Sequence, residues 1–307
     1  MNNILVFQNR PGIGDCVIFL SAIHKIAKEN PGRKILLVTK KRSNAKELLK
    51  DDIYIKNIWY SDEYKKKYKI KIIKYFNLWK NLKKTKFEKS YIFHYSFGHY
   101  LLCKILNIKH IYHYGFIKKN ENICKKIYAS VVRWLNIKDF NASTKIFLKK
   151  TKKYNKNNII IGIGSSGLSR RWDIENFIKL INLINKKKYN YYIVAGKNES
   201  KDANVLINKL KNKVKIKSLC SKKIYEILTY IKNSKLYVGT DSAFMHVSAA
   251  LNVKSFGLFG DTPTNYAEYS KKIFPITPLG YKIINHNSNA MSKITAEHVY
   301  DKIKKFI

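Results

Sequence analysis

Residues 236–250, LYVGTDSAFMHVSAA, and residues 253–260, VKSFGLFG, indicate the fold of this chain. The first stretch begins as an apolar strand that ends at Asp241 and continues as an alanine-rich helix carrying His246, and the second stretch is another apolar strand. This order predicts a β-α-β unit with polar residues at the carboxyl end of a strand, where parallel sheets bind ligands. The start of the helix, at Ser242 and Ala243, also offers free N–H groups and the positive end of the helix dipole to phosphate. The unit therefore predicts half of a nucleotide site.

The same alternation of strands and helices extends along the chain. In the first part, strands are predicted at 4–8, 34–39, 55–60, 90–94 and 110–114, with helical patterns at 16–29 and 101–105. In the second part, strands are predicted at 159–163, 191–195, 215–219, 236–239 and 255–259, with helices from about 173, 200, 222 and 242 and a final helix at 296–306. Such alternation is typical of parallel sheets with helices on both faces.

Two domains are predicted. The 307 residues suffice for two cores of ordinary size, and a polar stretch at 149–158, KKTKKYNKNN, interrupts the alternation. We place the domains at 1–150 and 151–307. The four cysteines are far apart, which favours buried thiols over a disulfide framework or a zinc site. No signal segment or membrane-length apolar run is present, so a cytoplasmic protein is expected.

The charge is strongly basic, with 61 Lys and Arg against 20 Asp and Glu and a formal net charge of +41. Lysine is spread along the whole chain together with much Asn, Ile and Tyr, so a general compositional bias is one explanation. Attraction to a polyanion is the other, and a nucleic acid, an anionic membrane and a phosphorylated glycolipid all fit it.

A glycine-rich loop at 162–167, GIGSSG, has the spacing of a dinucleotide fingerprint. Five residues separate it from the next helix and no acid ends the following strand, so the fingerprint is not met. The loop better suits a diphosphate held by Ser165, Ser166 and backbone N–H groups, with Arg170 neutralising its charge. Trp172, which follows, is expected to pack in the core.

Three separate blocks of the sequence resemble glycosyltransferase family 9, the lipopolysaccharide heptosyltransferases, and they occur along the chain in the family's order. They are the Asp-Ser-Ala-x-x-His motif at 241–246 with its following Leu-Phe-Gly, the opening strand and Gly-Asp turn at 4–23, and the loop at 162–172. The resemblance implies a GT-B fold, two Rossmann-like doubly wound domains facing across a cleft. The first domain would bind the acceptor and the second the nucleotide sugar.

The resemblance also implies a catalytic role for Asp15, which follows a turn containing Gly12 and Gly14. It would act as the general base that takes the proton of the acceptor hydroxyl. The alternative is a carboxylate that only caps the first helix. Arg170 occupies the position of the family's Lys, which keeps the charge and adds a planar fork.

For the donor, the resemblance implies that Asp241 binds sugar hydroxyls while Ser242 and Ala243 present N–H groups to the phosphates. His246 lies one helical turn away and is expected to face the same ligand. Glu199 resembles the acid that contacts the nucleoside ribose, and a helix N-terminal carboxylate explains it equally well. The family usually has Thr-Gly at 242–243 and Pro at 261, where this chain has Ser-Ala and Asp.

The lysine-rich segment at 64–89 has apolar residues at 72, 76, 79 and 82 that can share one helix face. Either this face packs on the core, or the helix lies on an anionic membrane.

The expected function is that of an inverting, metal-independent glycosyltransferase that needs no cofactor, since no Asp-x-Asp pair or His cluster is present. By resemblance, it would move a heptose or related sugar from ADP-heptose to a lipopolysaccharide or lipooligosaccharide core acceptor. The acceptor would be an anionic glycolipid at the cytoplasmic face of the inner membrane, where the protein would bind peripherally. A transferase for another nucleotide sugar or acceptor and a basic nucleic-acid-binding module are the alternatives, although no specific nucleic acid is expected as a partner.

Overall fold

The computed structural model describes residues 3–62, 71–117, 122–149, 157–184 and 188–307. The chain divides into two compact units, Met1–Phe147 and Leu148–Ile307, beside the domain boundary predicted at 150. Within the described ranges, no helix is long and apolar enough to span a membrane. The four cysteines, all among the described residues, are thiols outside any disulfide, and three of them are buried.

The first unit is a parallel sheet flanked by helices, with the strand order β3-β2-β1-β4-β5. Its strands are β1 (Asn3–Phe7), β2 (Ile35–Thr39), β3 (Ile55–Tyr60), β4 (Phe87–Ile92) and β5 (His110–His113). Its helices are α1 (Ile13–Lys28), α2 (Ala45–Leu48), α3 (Lys71–Leu82), α4 (Phe97–Ile105) and α5 (Ile123–Leu135). The central β1 is almost wholly apolar and buried, as expected for a strand covered on both faces.

The second unit repeats this plan with six parallel strands in the order β11-β10-β9-β6-β7-β8. Its strands are β6 (Asn158–Gly162), β7 (Asn190–Val194), β8 (Lys215–Ser218), β9 (Ser234–Thr240), β10 (Lys254–Leu258) and β11 (Ile273–Ile276). Its helices are α6 (Ile174–Ile184), α7 (Ser200–Leu210), α8 (Ile224–Lys232), α9 (Ala243–Ala250) and α10 (Ala296–Ile303). The prediction of two parallel α/β domains is therefore confirmed.

Close pairing of β6 and β9 requires glycine near the carboxyl ends of both strands. Gly162 pairs with Gly239 across these strands. A Cβ built on Gly239 would lie 2.2 Å from the Gly162 carbonyl oxygen, which is closer than any real Cβ contact. The two glycines thus let the loops at 163–170 and 241–243 begin side by side.

The sequence patterns did not identify β11. Its sequence contains Pro275, which cannot donate a ladder hydrogen bond and therefore weakens the strand pattern. The strand is nevertheless possible because it lies at the edge of the sheet, where it pairs only with β10.

The apolar face predicted for the segment at 64–89 is partly wrong. Residues 63–70 lie outside the described ranges, as do the side chains at 71–74, including position 72. In α3, Leu78 and Leu82 are buried and Trp79 packs against the same core, but Phe76 is exposed. The core-facing alternative therefore holds for the last turns of α3, and the segment ends in β4, which contains Lys89.

Candidate functional site

In the first unit, the Gly-Asp turn at the end of β1 positions Asp15. Gly12 is the N-cap of α1 and its N–H donates to Asp15 Oδ2 at 3.1 Å. This is one half of a capping box, because Gly12 has no side chain to supply the other half. The predicted capping role is thus present. It uses one carboxylate oxygen, and the side chain remains about one quarter exposed.

The other oxygen of Asp15 is held by Arg10, which the sequence analysis did not single out. Arg10 Nε donates to Asp15 Oδ1 at 2.7 Å, and both side chains are partly exposed. This charge-assisted bond fixes the direction in which the carboxylate points. A basic residue five positions before the aspartate was the only signal for it.

In the second unit, the loop after β6 turns back on itself. Ser165 Oγ donates to the Gly167 carbonyl at 2.6 Å, so this hydroxyl already has an acceptor. Arg170 Nη1 donates to Ser166 Oγ at 2.9 Å, and Nη2 lies 3.3 Å from His286 Nδ1. The structure therefore brings the predicted Ser166 and Arg170 together and leaves the guanidinium partly exposed.

The motif at 241–246 forms the polar end of β9 and the start of α9. Ser242 is the N-cap of α9 without a side-chain cap bond, and its Oγ lies 3.1 Å from Tyr237 Oη. Ala243 is the first helical residue. Ala243 is partly exposed, whereas the next three residues of the first turn are buried. The helix start carries the partial positive charge of the helix dipole.

Asp241 and His246 lie close together near this helix start. His246 Nε2 is 3.8 Å from Asp241 Oδ1, and His246 Nδ1 is 2.8 Å from Tyr269 Oη. If the tyrosine hydroxyl donates, the neutral imidazole carries its proton on Nε2, on the side of Asp241. Tyr269, also missed from the sequence, is thus a hydrogen-bond partner of His246 on the side away from Asp241.

Burial acts on the two groups in opposite directions. It raises the pKa of Asp241 to about 6, although the nearby Thr262 and Arg170 lower it. It lowers the pKa of His246 to about 4, so the imidazole is neutral at pH 7. A largely ionised carboxylate held beside a neutral histidine is suited to accept hydrogen bonds from sugar hydroxyls.

Glu199 is the N-cap of α7, without a side-chain cap bond. Its Oε1 lies 3.6 Å from Arg171 Nη2, and Arg171 also pairs with Asp202 at 3.7 Å. The helix N-terminal position is therefore present, and the carboxylate already has a cationic neighbour.

Asp261, where the family usually has proline, joins two loops of the second unit. Its Oδ2 accepts a bond from Ser169 Oγ at 2.6 Å, and its Oδ1 accepts one from the Asn289 N–H at 2.8 Å. Burial raises the pKa of Asp261, but these two hydrogen bonds, together with the nearby Arg170 and His286, outweigh burial and lower the pKa. Ser169 directly precedes Arg170, so Asp261 supports the loop that carries the predicted phosphate ligand.

Trp172 is buried and donates from Nε1 to the Ile294 carbonyl at 2.8 Å, in agreement with the predicted packing role. Across the described ranges, no three His, Cys, Asp or Glu side chains come close enough together to hold a metal ion.

The fold is that of a two-domain α/β glycosyltransferase. The sequence profile of glycosyltransferase family 9 (heptosyltransferase) matches residues 133–304, more than half of the chain. The chain belongs to this family.

Curated relatives include lipooligosaccharide heptosyltransferase 2 from two strains of Campylobacter jejuni. These are 27% and 26% identical over 195 residues, which are 60% of this chain. The match spans about 60% of the length of these relatives.

Solved structures with the same fold include E. coli heptosyltransferase WaaC with ADP, with a TM-score of 0.78 and 15% identity over 99% of this chain and 100% of that one. A glycosyltransferase of family 9 from Veillonella parvula gives a TM-score of 0.79 at 15% identity, over 99% of this chain and 97% of that one. E. coli ADP-heptose lps heptosyltransferase II gives 0.77 at 15% identity, over 99% and 98%. At this identity the likeness shows the fold alone, which is the predicted GT-B type.

Proposed function

We propose that this protein transfers a heptose from ADP-heptose to a lipopolysaccharide or lipooligosaccharide core acceptor, with inversion and without a metal ion. The observation that carries the proposal is the Asp241–His246 pair at the start of α9, in the same unit as Arg170. Membership of the heptosyltransferase family and the relatives named above support the sugar and the acceptor.

In this proposal, the second unit binds the donor. Arg170, Ser166 and the N–H groups at the start of α9 would face the diphosphate, where negative charge develops as it leaves. Asp241 would accept hydrogen bonds from the sugar hydroxyls, with the neutral His246 beside it. Arg170 and the helix start supply the positive charge that other transferases obtain from a cation.

Asp15 in the first unit would act as the general base. The acceptor oxygen attacks the anomeric carbon as the bond from that carbon to the diphosphate oxygen breaks, and the hydroxyl proton passes to the Asp15 carboxylate. Attack on the face opposite the leaving group inverts the anomeric configuration. The hydrogen bonds from Arg10 and the Gly12 N–H hold this carboxylate in one orientation.

The deciding experiment has two measurements. A panel of nucleotide sugars is tested for stabilisation of the protein against heat, because a ligand that binds only the folded state raises its apparent stability. The product from ADP-heptose and a lipooligosaccharide acceptor is then examined by NMR for its anomeric configuration. Stabilisation by ADP-heptose and an inverted product support the proposal. No response to any nucleotide sugar, together with sequence-selective nucleic-acid binding at physiological salt, would instead indicate a nucleic-acid-binding module.

The proposal also places the protein at the cytoplasmic face of the inner membrane. A net charge of +41 favours an anionic surface, and each well-placed Lys or Arg contributes about 1 kcal/mol to such binding.

A further inference from the structure

The outer face of α4 carries large apolar side chains that are exposed among the described residues. Phe97, Leu101 and Ile105 are 62%, 47% and 57% exposed, and their spacing of four residues places them on one face of the helix. The opposite face, with Leu102 and Cys103, is buried in the core of the first unit.

Two more exposed apolar side chains follow β5 and extend this face. Phe116 and Ile117 are 52% and 80% exposed, and the Phe116 ring contacts the rings of Phe97 and Tyr100 at 5.7 and 5.5 Å. We call Phe97, Leu101, Ile105, Phe116 and Ile117 the apolar patch. Single apolar side chains are also exposed elsewhere, as Ile53 and Val205 are, but five of them on one helix face and the adjoining strand end form a cluster of the kind that marks a surface for binding.

The surroundings of the apolar patch are basic. Residues 89–120 contain no Asp or Glu. Lys104 and Lys109 are exposed, and Lys104 Nζ lies 5.6 Å from the centre of the Tyr100 ring. Apolar and aromatic side chains rimmed by lysine fit the boundary between lipid headgroups and acyl chains. Two copies of the protein pairing through this face would instead bring lysine against lysine.

Part of the apolar patch lies at the edge of the sheet formed by the carboxyl ends of the strands, which is also the edge of Asp15. Phe97 follows β4 and Phe116 follows β5, while Asp15 lies in the first turn of α1, the helix that follows the neighbouring β1. All three positions are at the carboxyl ends of parallel strands, and two strand spacings correspond to roughly 10 Å. A lipid held at the apolar patch would therefore have its polar headgroup near the edge where Asp15 lies.

We infer that the apolar patch is the surface by which this protein docks on an anionic lipid bilayer. This inference rests on the proposed function, which supplies a membrane-anchored acceptor. It assigns the docking to α4 and the end of β5 and not to α3, whose last turns pack on the core through Leu78, Trp79 and Leu82.

The test compares two matched double variants. Leu101→Gln with Ile105→Gln removes apolar area from the patch, and Ile53→Gln with Val205→Gln removes similarly exposed area elsewhere, at side chains that are 60% and 47% exposed. Binding is measured by flotation with vesicles of equimolar phosphatidylglycerol and phosphatidylcholine in about 0.3 M NaCl, where attraction by lysine alone is screened.

We expect the patch variant to bind these vesicles at least tenfold more weakly than the wild type, and the control variant to bind like the wild type. Both should retain the wild-type circular dichroism spectrum, since all four side chains are exposed. Equal binding by the two variants would overturn the inference. So would a wild-type dimer that the patch substitutions convert to a monomer, because the patch would then join two copies of the chain.

A soluble acceptor separates this inference from the proposed function. Transfer to a deacylated lipooligosaccharide should be the same for the patch variant and the wild type, whereas transfer to the acylated acceptor in vesicles should fall with binding. An equal loss on both acceptors would overturn the docking role. If the wild type responds to no nucleotide sugar, the proposed function fails, and the vesicle comparison still decides the inference.

Discussion

The Asp241 carboxylate lies 3.8 Å from the imidazole of His246, and burial disfavours the charged form of both groups. The consequence is a pair whose contributions to stability run in opposite directions with pH. A native pKa of about 6 against 3.8 for Asp241 means that stability falls as the pH rises from about 4 to about 6. A native pKa of about 4 against 6.5 for His246 means that stability rises over nearly the same interval.

The opposite pH dependences of stability should be measurable separately when either Asp241 or His246 is substituted. We expect Asp241→Asn to be more stable than the wild type at pH 7, by on the order of 2 kcal/mol, because a buried carboxylate is no longer ionised. The excess should shrink as the pH falls towards 4, where Asp241 of the wild type is protonated. Urea unfolding at several pH values between 4 and 7 measures this difference.

His246→Gln removes the group whose contribution to stability has the opposite pH dependence. Its stability relative to the wild type should be greatest near pH 4 and should decline as the pH rises to 6.5, since only the wild type gains there from keeping a neutral histidine. Differences that do not depend on pH in either variant would show that these groups do not titrate as the structure implies.

Donor binding should depend on Arg170 and not on a metal ion. Arg170→Ala removes the guanidinium that bonds Ser166, and we expect ADP-heptose to bind 10- to 100-fold more weakly, as for the loss of a charge-assisted contact. Lys209→Ala is the control, since it removes one positive charge from the same unit at an exposed ion pair with Glu175. Titration calorimetry with and without EDTA measures how ADP-heptose binding depends on Arg170 and whether it depends on a metal ion. Binding that is lost in EDTA and restored by Mg²⁺ would contradict the metal-independent proposal.

The sequence predicted the positions of the two loops that we assign to the donor, because each loop is a local pattern. The glycine loop after β6 and the strand-to-helix turn after β9 are both short, and the β-α-β alternation places their ends at one edge of a sheet. The same alternation was enough for the parallel sheets, whose central strands are long apolar runs.

Contacts between distant residues could not be predicted in this way. Tyr269 lies 23 positions from His246, and Asp261 lies 92 positions from Ser169, so no local spacing connects them. The exposed apolar face of α4 could not be predicted from the sequence for a related reason. A helix with apolar residues on two faces has the same composition whether one face or both are covered, and only the packing of α4 on the sheet distinguishes these cases.

Asp261 should stabilise the second unit in a pH-dependent way. Because the native pKa of Asp261 is lowered, its contribution is fully present above the ordinary carboxyl pKa and is lost as the pH falls through the native value. We expect Asp261→Asn to lower the free energy of unfolding by about 1 to 2 kcal/mol at pH 7, with a smaller difference from the wild type at pH 3. Denaturant unfolding at the two pH values tests this expectation, and an equal difference at both would contradict it.

Substitutions of Arg10 and Asp15 should distinguish a residue that positions the carboxylate from the carboxylate that accepts the proton. Asp15→Asn keeps an oxygen that can accept the Gly12 N–H but cannot take a proton, so we expect turnover to fall about 10²- to 10⁴-fold while ADP-heptose still stabilises the protein against heat. Arg10→Gln leaves the carboxylate in place without its 2.7 Å partner, and we expect a smaller loss of roughly tenfold, mainly in kcat. Arg10→Lys should recover part of this loss, because it restores the charge without the planar fork. Unchanged turnover in Asp15→Asn would leave the carboxylate with its capping role alone, and a larger loss in Arg10→Gln than in Asp15→Asn would indicate that the arginine itself contacts the substrate.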